Sequence, residues 1–300
     1  MALPPMVTKN PSYASVRYPA GNPFSHNFIP DWRLMPRQRP TPYTPAVFLE
    51  QATMVKWELT LTAALLVAYG VKNWGWGTAN FHAESEGFFG KDTRHGGMDK
   101  LGHAFGAMVL ADFLNARIVR EQGVASDNAA LTASLLSFGA MAFIDVADGL
   151  AKDHGFSYED VIADAVGAAF SYFRNTVPGL RDKLDYRVQY TPSQIEDPVN
   201  SYMSQKYLLA LKLSGFEELK PTPLRFVELH VGYFARGYGE DDARRGVPRT
   251  RSVFFGIGLN LNELLFSDPA VRRTGIGNIA SSTLEYIQVP YTSINTNTAR

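Results

Sequence analysis

Apolar residues along this chain change their period once, near Pro178, and that switch constrains the fold more than any other feature. Before it they recur every three to four positions, as on one face of a helix. After it they alternate, as on one face of a strand. A chain that separates the two periods in this way predicts an α+β molecule, a helical bundle of about four helices followed by a small antiparallel β-sheet.

Local signals set the elements. A first helix is expected from about Ala46 to Asn73, ending near the turn Trp74-Gly75-Trp76-Gly77. A Gly-rich loop from Glu86 to Met98 leads into a second helix, about Asp99 to Gln122. Ser126 and Asp127 cap a third, running to about Asp153 with Gly155 as its stop. Ser157, with Asp160 three residues on, resembles a capping box and opens a fourth helix to Arg174. Strands are expected over Tyr186–Tyr190 and wherever apolar residues alternate: Leu209, Leu211 and Leu213; Val227, Leu229, Val231 and Tyr233; Val253, Phe255, Ile257, Leu259 and Leu261. Thr283–Val289 is read as a further strand. The bundle then occupies 47–176, the strand region 184–290, and residues 291–300 form a tail.

Ten of the 18 prolines lie between Pro4 and Pro45, so residues 1–46 read as an extended Pro-rich N-terminal arm that wraps a surface. Met1–Thr8 lack the basic start and apolar run of a secretory signal, so no signal peptide is visible in the chain as given. Lys plus Arg and Asp plus Glu are each 29, and a net charge of zero argues against a nucleic-acid partner. With no cysteine, disulfides, thiolate metal sites, a cysteine nucleophile and a lipid-bearing cysteine are excluded for these residues. No uncharged apolar run reaches the 18 residues of a membrane span. The nearest, Leu59–Val71, Asn128–Ile144 and Val161–Phe173 (broken by Asp164), suit core helices or helices lying in a membrane interface. Five strands are too few for a complete outer-membrane barrel from this half alone.

Ionisable residues sit on these apolar helices. Asp99 and His103, four apart, share a face of the second helix with Lys100 beside them. On the third helix an apolar stripe of Leu131, Leu135, Phe138 and Ala142, expected to be buried, runs into Asp145, with Asp148 beyond it. On the fourth, Asp160 and Asp164 are again four apart. Carboxylates and an imidazole suit a divalent metal, giving Asp99, His103, Asp145, Asp148, Asp160 and Asp164 as candidate ligands. As acid–base chemistry the same centre offers His103, Asp99, Lys100 and Asp145 as catalytic candidates. The structural alternative makes Asp99 and Asp160 helix caps or first-turn acids, puts Asp148 and Asp153 near a helix end, and has Lys100 and Lys152 neutralise the rest as buried ion pairs. His82 and His95, in the preceding loop, are outside candidates. The small residues Gly102, Gly106, Ala163 and Gly167 read as helix packing, and Trp57, Tyr69, Trp74, Trp76, Phe88 and Phe89 as an aromatic zone that suits a core or a bilayer interface.

Three blocks in this order and spacing carry a resemblance: Asp99-Lys100-Leu101-Gly102-His103-Ala104-Phe105, Asp145-Val146-Ala147-Asp148-Gly149, and Gly155-Phe156-Ser157-Tyr158-Glu159-Asp160 running on to Ala168. Over about residues 74–175 the chain resembles the YfiM-type predicted periplasmic lipoproteins, a bacterial domain of unknown function, and more loosely the VanZ-like membrane proteins. The resemblance implies a cell-envelope location, periplasm or outer membrane, with no established activity. Two functions are expected from these readings. One is a membrane-associated envelope protein with a structural or lipid-interacting role and membrane lipid as its partner. The alternative is a metal-dependent hydrolase acting on a lipid or envelope phosphate through Asp99, His103, Asp145 and Asp164.

Overall fold

A computed structural model describes residues 35–191, 202–244, 246–272 and 274–299. Helices come first: α1 (Pro45–Met54), α2 (Lys56–Tyr69, continued by a wide turn Gly70–Trp74), α3 (Met98–Gln122), α4 (Asp127–Asp148), α5 (Tyr158–Thr176) and the single turn α6 (Leu180–Lys183). They are followed by β1 (Leu184–Tyr190), β2 (Gln205–Lys212), β3 (Val227–Arg236), β4 (Thr250–Leu259) and β5 (Ser293–Ala299), with short helices α7 (Glu240–Arg244), α8 (Leu261–Phe266), α9 (Pro269–Arg272) and α10 (Gly275–Thr283) between the later strands. The five strands form one antiparallel sheet in sequence order. The α+β expectation is met.

The caps read from sequence are present. Ser126 accepts from Ala129 N–H, and Ser157 accepts from Asp160 N–H. The long first helix is instead broken, with α1 and α2 meeting at 69°. Val55 at the joint leaves helical geometry (φ −115°, ψ 14°) and is wholly buried among Leu114, Ile118 and Ala133. Burying that side chain in the α3–α4 seam outweighs continuing the helix. The third helix ends at Asp148 rather than Asp153, because Gly149–Ala151 turn back to hydrogen-bond with residues 77, 79 and 82. Helices α3 and α5 cross closely: a Cβ on Gly167 would collide with the Ala104 carbonyl, so the small residues do serve as packing. Most of the proline-rich arm lies outside the described residues. Its described end runs past α4 and α5, where Arg37 pairs with Asp127 and donates to the carbonyls of Asn175 and Thr176.

Two strand assignments change. Thr283–Val289 is the end of α10 followed by turns and a single bridge, Val188 to Ile287, while the tail forms the fifth strand, β5. The alternation that marked strands is absent from β5, whose residues, Ser-Ile-Asn-Thr-Asn-Thr-Ala, are mostly polar. Both edges of the sheet are drawn together. Residues 286–288 hydrogen-bond along the free edge of β1 through Val188, while Thr292 accepts from Leu259 at the end of β4. In a flat sheet those two places would be about 24 Å apart, five strand spacings of about 4.8 Å. Residues 288 to 292 reach only about 14 Å when extended, so the sheet curls towards closure.

The curl sorts side chains against the usual rule. One face carries Leu211, Leu229, Val231, Val253, Phe255, Ile257 and Ile294, joined by cross-strand register, and it turns outward: Phe255 is 54% and Ile257 60% exposed. The opposite face carries Asp185, Arg187, Lys212, Glu228, His230 and Phe254, all buried. Among the described residues, the end of the outward face bearing Tyr186, Tyr207 and Tyr233 is covered by Met98, Leu101, Phe105 and Met108 of α3. Helices repeat the inversion. The stripe expected to be buried on α4 is not: Leu135 is 46% exposed, whereas Ala129, Thr132, Ala133, Ser134 and Ser137 face inward. On α5, Ile162, Val166 and Phe173 point out while Asp160, Asp164, Ser171 and Arg174 point in. Among the described residues α4 alone is a single helix long and apolar enough to cross a membrane, and 44% of that stretch is buried inside the molecule.

Candidate functional site: a buried polar centre on three helices

The inward faces of α3, α4 and α5 bring the predicted ionisable residues together as two adjoining groups. In the first, Lys100 Nζ lies 2.8 Å from Glu86, 2.7 Å from Asp99 and 2.8 Å from Asp160. The ammonium fills the space among three carboxylates. Burial works against every charge here, but Asp99, Asp160 and Glu86 outweigh it and hold the Lys100 pKa well above its usual range. Burial raises Asp99 to about 6, against the pull of Lys100, while Glu86 is held down to about 2 despite burial by its hydrogen bond with Asp99 and by Lys100. Glu86 was missed in the sequence because it sits in a Gly-rich loop with no periodicity to aim it.

The second group surrounds His103, whose side chain is 18% exposed. Its Nδ1 lies 3.2 Å from Asp164 Oδ1 and 3.5 Å from Asp145 Oδ1, and its Nε2 lies 3.7 Å from Asp160 Oδ1. Asp160 therefore touches both groups. Ligand atoms of His103, Asp145 and Asp164 all fall within 4.8 Å of one another. Burial disfavours the imidazolium, yet Asp164, Asp160 and Asp145 outweigh it and raise His103 to about 10. Burial raises Asp145 to about 9, reinforced by the charges of Asp164 and Asp160 and opposed by His103.

Other expected members go elsewhere. Asp148, one turn beyond Asp145, accepts from the Trp76 indole N–H at 2.5 Å, and its atoms are not among the converging ones. Asp99 shares a helix face with His103 but is drawn to Lys100 and Glu86. His95 stacks on Tyr202, and burial with the neighbouring Arg94 lowers it to about 4, so it is neutral. Lys152 is exposed on a turn.

A second buried polar network, invisible to motif reading, joins α3 and α5 to the sheet. Arg174 donates to Asp112 (2.8 Å), Asp185 (2.7 Å) and Glu285 (2.7 Å). Arg187 pairs with Asp185 and Glu228, and Lys212 with Asp185. Ser171, Asn175 and Tyr286 complete the shell of Asp112. Asp185, fully buried, is held down to about 2 because Lys212, Arg187 and Arg174 outweigh the effect of burial. The sequence clue was polar side chains opposite the apolar ones: Asp185 and Arg187 alternating on β1, Glu228 and His230 on β3, and Lys212 at the end of β2.

With this geometry in hand, comparison places the helical core. Residues 85–176 match the family of predicted periplasmic lipoproteins (DUF2279). The matched stretch opens one residue before Glu86 and closes at the end of α5, so every carboxylate and base of both groups falls inside it. The YfiM-type resemblance is met there, and the envelope location it implies is that of the family's description. The looser likeness to VanZ-like membrane proteins has no counterpart in the comparisons. No curated protein and no solved structure matches the chain.

Proposed function

We propose that this protein is a membrane-associated component of the cell envelope whose outward strand and helix faces rest against lipid. The observation that carries the reading is the inverted sheet, apolar outside and charged inside its curl. Water penalises that arrangement and hydrocarbon favours it. The same inversion recurs on α4 and α5, and α2 adds exposed Trp57, Leu61 and Leu65, with Lys56 against the Trp57 ring. Apolar exposure on three helices and four strands is too dispersed for one partner patch, and an exposed Trp beside a Lys is chemistry suited to a headgroup boundary. Lipid is therefore the occupant, in preference to a second copy of the chain.

The native product, expressed from its own locus and fractionated, is expected to stay with membranes through a high-salt wash. Recovery wholly in the cytosol, or full release by salt, would sink this reading. A dimer of matching apolar area in detergent-free buffer would assign the face to a second copy instead.

A second reading, a metal-dependent hydrolase of a lipid or envelope phosphate, draws on the convergence of His103 Nδ1 with Asp145 and Asp164. Asp99 has no part in it, because Lys100 occupies that carboxylate. It predicts release of inorganic phosphate from a lipid phosphate monoester, lost in His103→Gln.

A further inference from the structure

The two carboxylate groups of the helical core differ in one respect. Around Lys100 a cation of the chain's own fills the space among Glu86, Asp99 and Asp160. Among the described residues, no lysine or arginine pairs with the carboxylates Asp145 and Asp164 around His103. Asp145 Oδ2 and Asp164 Oδ2 are buried and receive no hydrogen bond, on residues 2% and 0% exposed. Orphaned carboxylate oxygens at that depth are costly, and each needs either a donor or a cation.

His103 Nδ1 is hydrogen-bonded to Asp164 Oδ1, and the spacing of the group also suits a shared cation. Ligands held at about 2.1 Å from one ion lie roughly 3.0–3.5 Å from one another, in octahedral or tetrahedral arrangement. His103 Nδ1 stands 3.2 Å from Asp164 and 3.5 Å from Asp145. Asp160 approaches the other ring nitrogen, Nε2, at 3.7 Å, and one imidazole does not give both nitrogens to one ion. Its place, facing Nε2, is that of a carboxylate that would orient the ring, and Lys100 fixes Asp160 in turn.

We infer that His103 Nδ1, Asp145 and Asp164 bind a single divalent cation of the Mn²⁺ or Zn²⁺ class, oriented by Asp160, with coordination positions left for water or an anionic ligand. Two carboxylates balance the ion's charge, and one imidazole with two carboxylates selects borderline to hard metals. Each ligand comes from a different helix, α3, α4 and α5, so the ion ties together the three elements that form the core. This inference is independent of the lipid reading: it concerns the inward faces, and its readouts need no membrane.

The test uses the full chain, stripped with chelator and dialysed in turn against MnCl₂ and ZnCl₂. About one equivalent of bound metal, measured by elemental analysis, is expected, with a rise in Tm that chelator reverses. Asp164→Asn should weaken binding at least tenfold, as loss of a ligand requires. Asp148→Asn, one turn away but bonded to Trp76, should bind within about twofold of the original chain, a shift too small to involve a ligand. For Mn²⁺, enhanced water-proton relaxation would report the open positions. Folded protein that takes up neither metal, with a Tm indifferent to chelator, overturns the inference, as does equal loss in Asp148→Asn and Asp164→Asn. Should Asp164→Asn fail to fold, the titration of the unaltered chain decides.

Discussion

The strand half and the helical half both bury charge, but they balance it differently. Inside the curled sheet and its seam with α5, the cations Arg174, Arg181, Arg187 and Lys212 meet the carboxylates Asp112, Asp185, Glu228 and Glu285, four against four. In the helical centre, Glu86, Asp99, Asp145, Asp160 and Asp164 face one permanent cation, Lys100, and a titratable imidazole. Among the described residues the strand-side network is matched in formal charge and acts as a lock between layers, although Arg187 Nε and both ring nitrogens of the neighbouring His230 have no hydrogen-bond partner. An acidic excess is not complete until protons or a metal supply the remainder. The difference separates a structural charge cluster from one poised to bind.

Breaking the matched network should have the largest effect. Arg174→Met leaves Asp112, Asp185 and Glu285 without their shared partner and is expected to cost roughly 3–5 kcal/mol in chemical denaturation. A loss below about 1 kcal/mol would show that the carboxylates re-pair and that the lock is not tied through Arg174.

Acid should open the same network next. The folded pKa of Asp185 is depressed to about 2 from an ordinary 3.8, so its contribution is fully present above about pH 4 and disappears as pH falls towards 2. That span is worth on the order of 2 kcal/mol. A Tm that declines between pH 4 and 2 in the unaltered chain, with a smaller decline in Asp185→Asn, is the expected result; parallel curves would assign acid sensitivity elsewhere.

Packing at the centre of the bundle gives a comparable or smaller effect. Gly167→Ala forces a methyl into the Ala104 carbonyl and should cost about 1–3 kcal/mol by separating α3 from α5. Because those helices carry His103 and Asp164, metal affinity should fall with it, whereas Arg174→Met should lower stability and leave affinity largely intact. Smallest is the cap. Ser157→Ala, which removes the acceptor for Asp160 N–H, is expected to cost about 1 kcal/mol by thermal unfolding.

Helices α3–α5 and four of the strands were legible in sequence because period and caps are local properties. Ser126, Ser157 and the alternation at Val227–Tyr233 were sufficient to place α4, α5 and β3. Direction was not legible. Alternation states that Val253, Phe255 and Ile257 share a face, but not that this face turns outward, which depends on the charged residues that the curl encloses. The α4 stripe misled for the same reason, since large apolar residues are ordinarily inside. Within the centre, i and i+4 spacing grouped Asp99 with His103, but one lysine between them redirected Asp99, and Glu86 arrived from a loop that no periodicity describes. β5 escaped notice because its pairing with β4 is a matter of backbone hydrogen bonds, with a polar sequence that shows no pattern.

Because the chain has no native cysteine, the central claim can be tested one position at a time. Single-cysteine variants Phe255→Cys and Ile257→Cys on the outward face, and Glu218→Cys on an exposed turn, would carry a nitroxide label, and collision with oxygen and with a water-soluble nickel chelate would be measured before and after adding envelope-lipid vesicles. The account predicts that labels at 255 and 257 gain oxygen access and lose the nickel chelate on adding vesicles, while the label at 218 keeps both. If all three remain equally open to the nickel chelate with vesicles present, the outward apolar face does not meet lipid and the account is wrong.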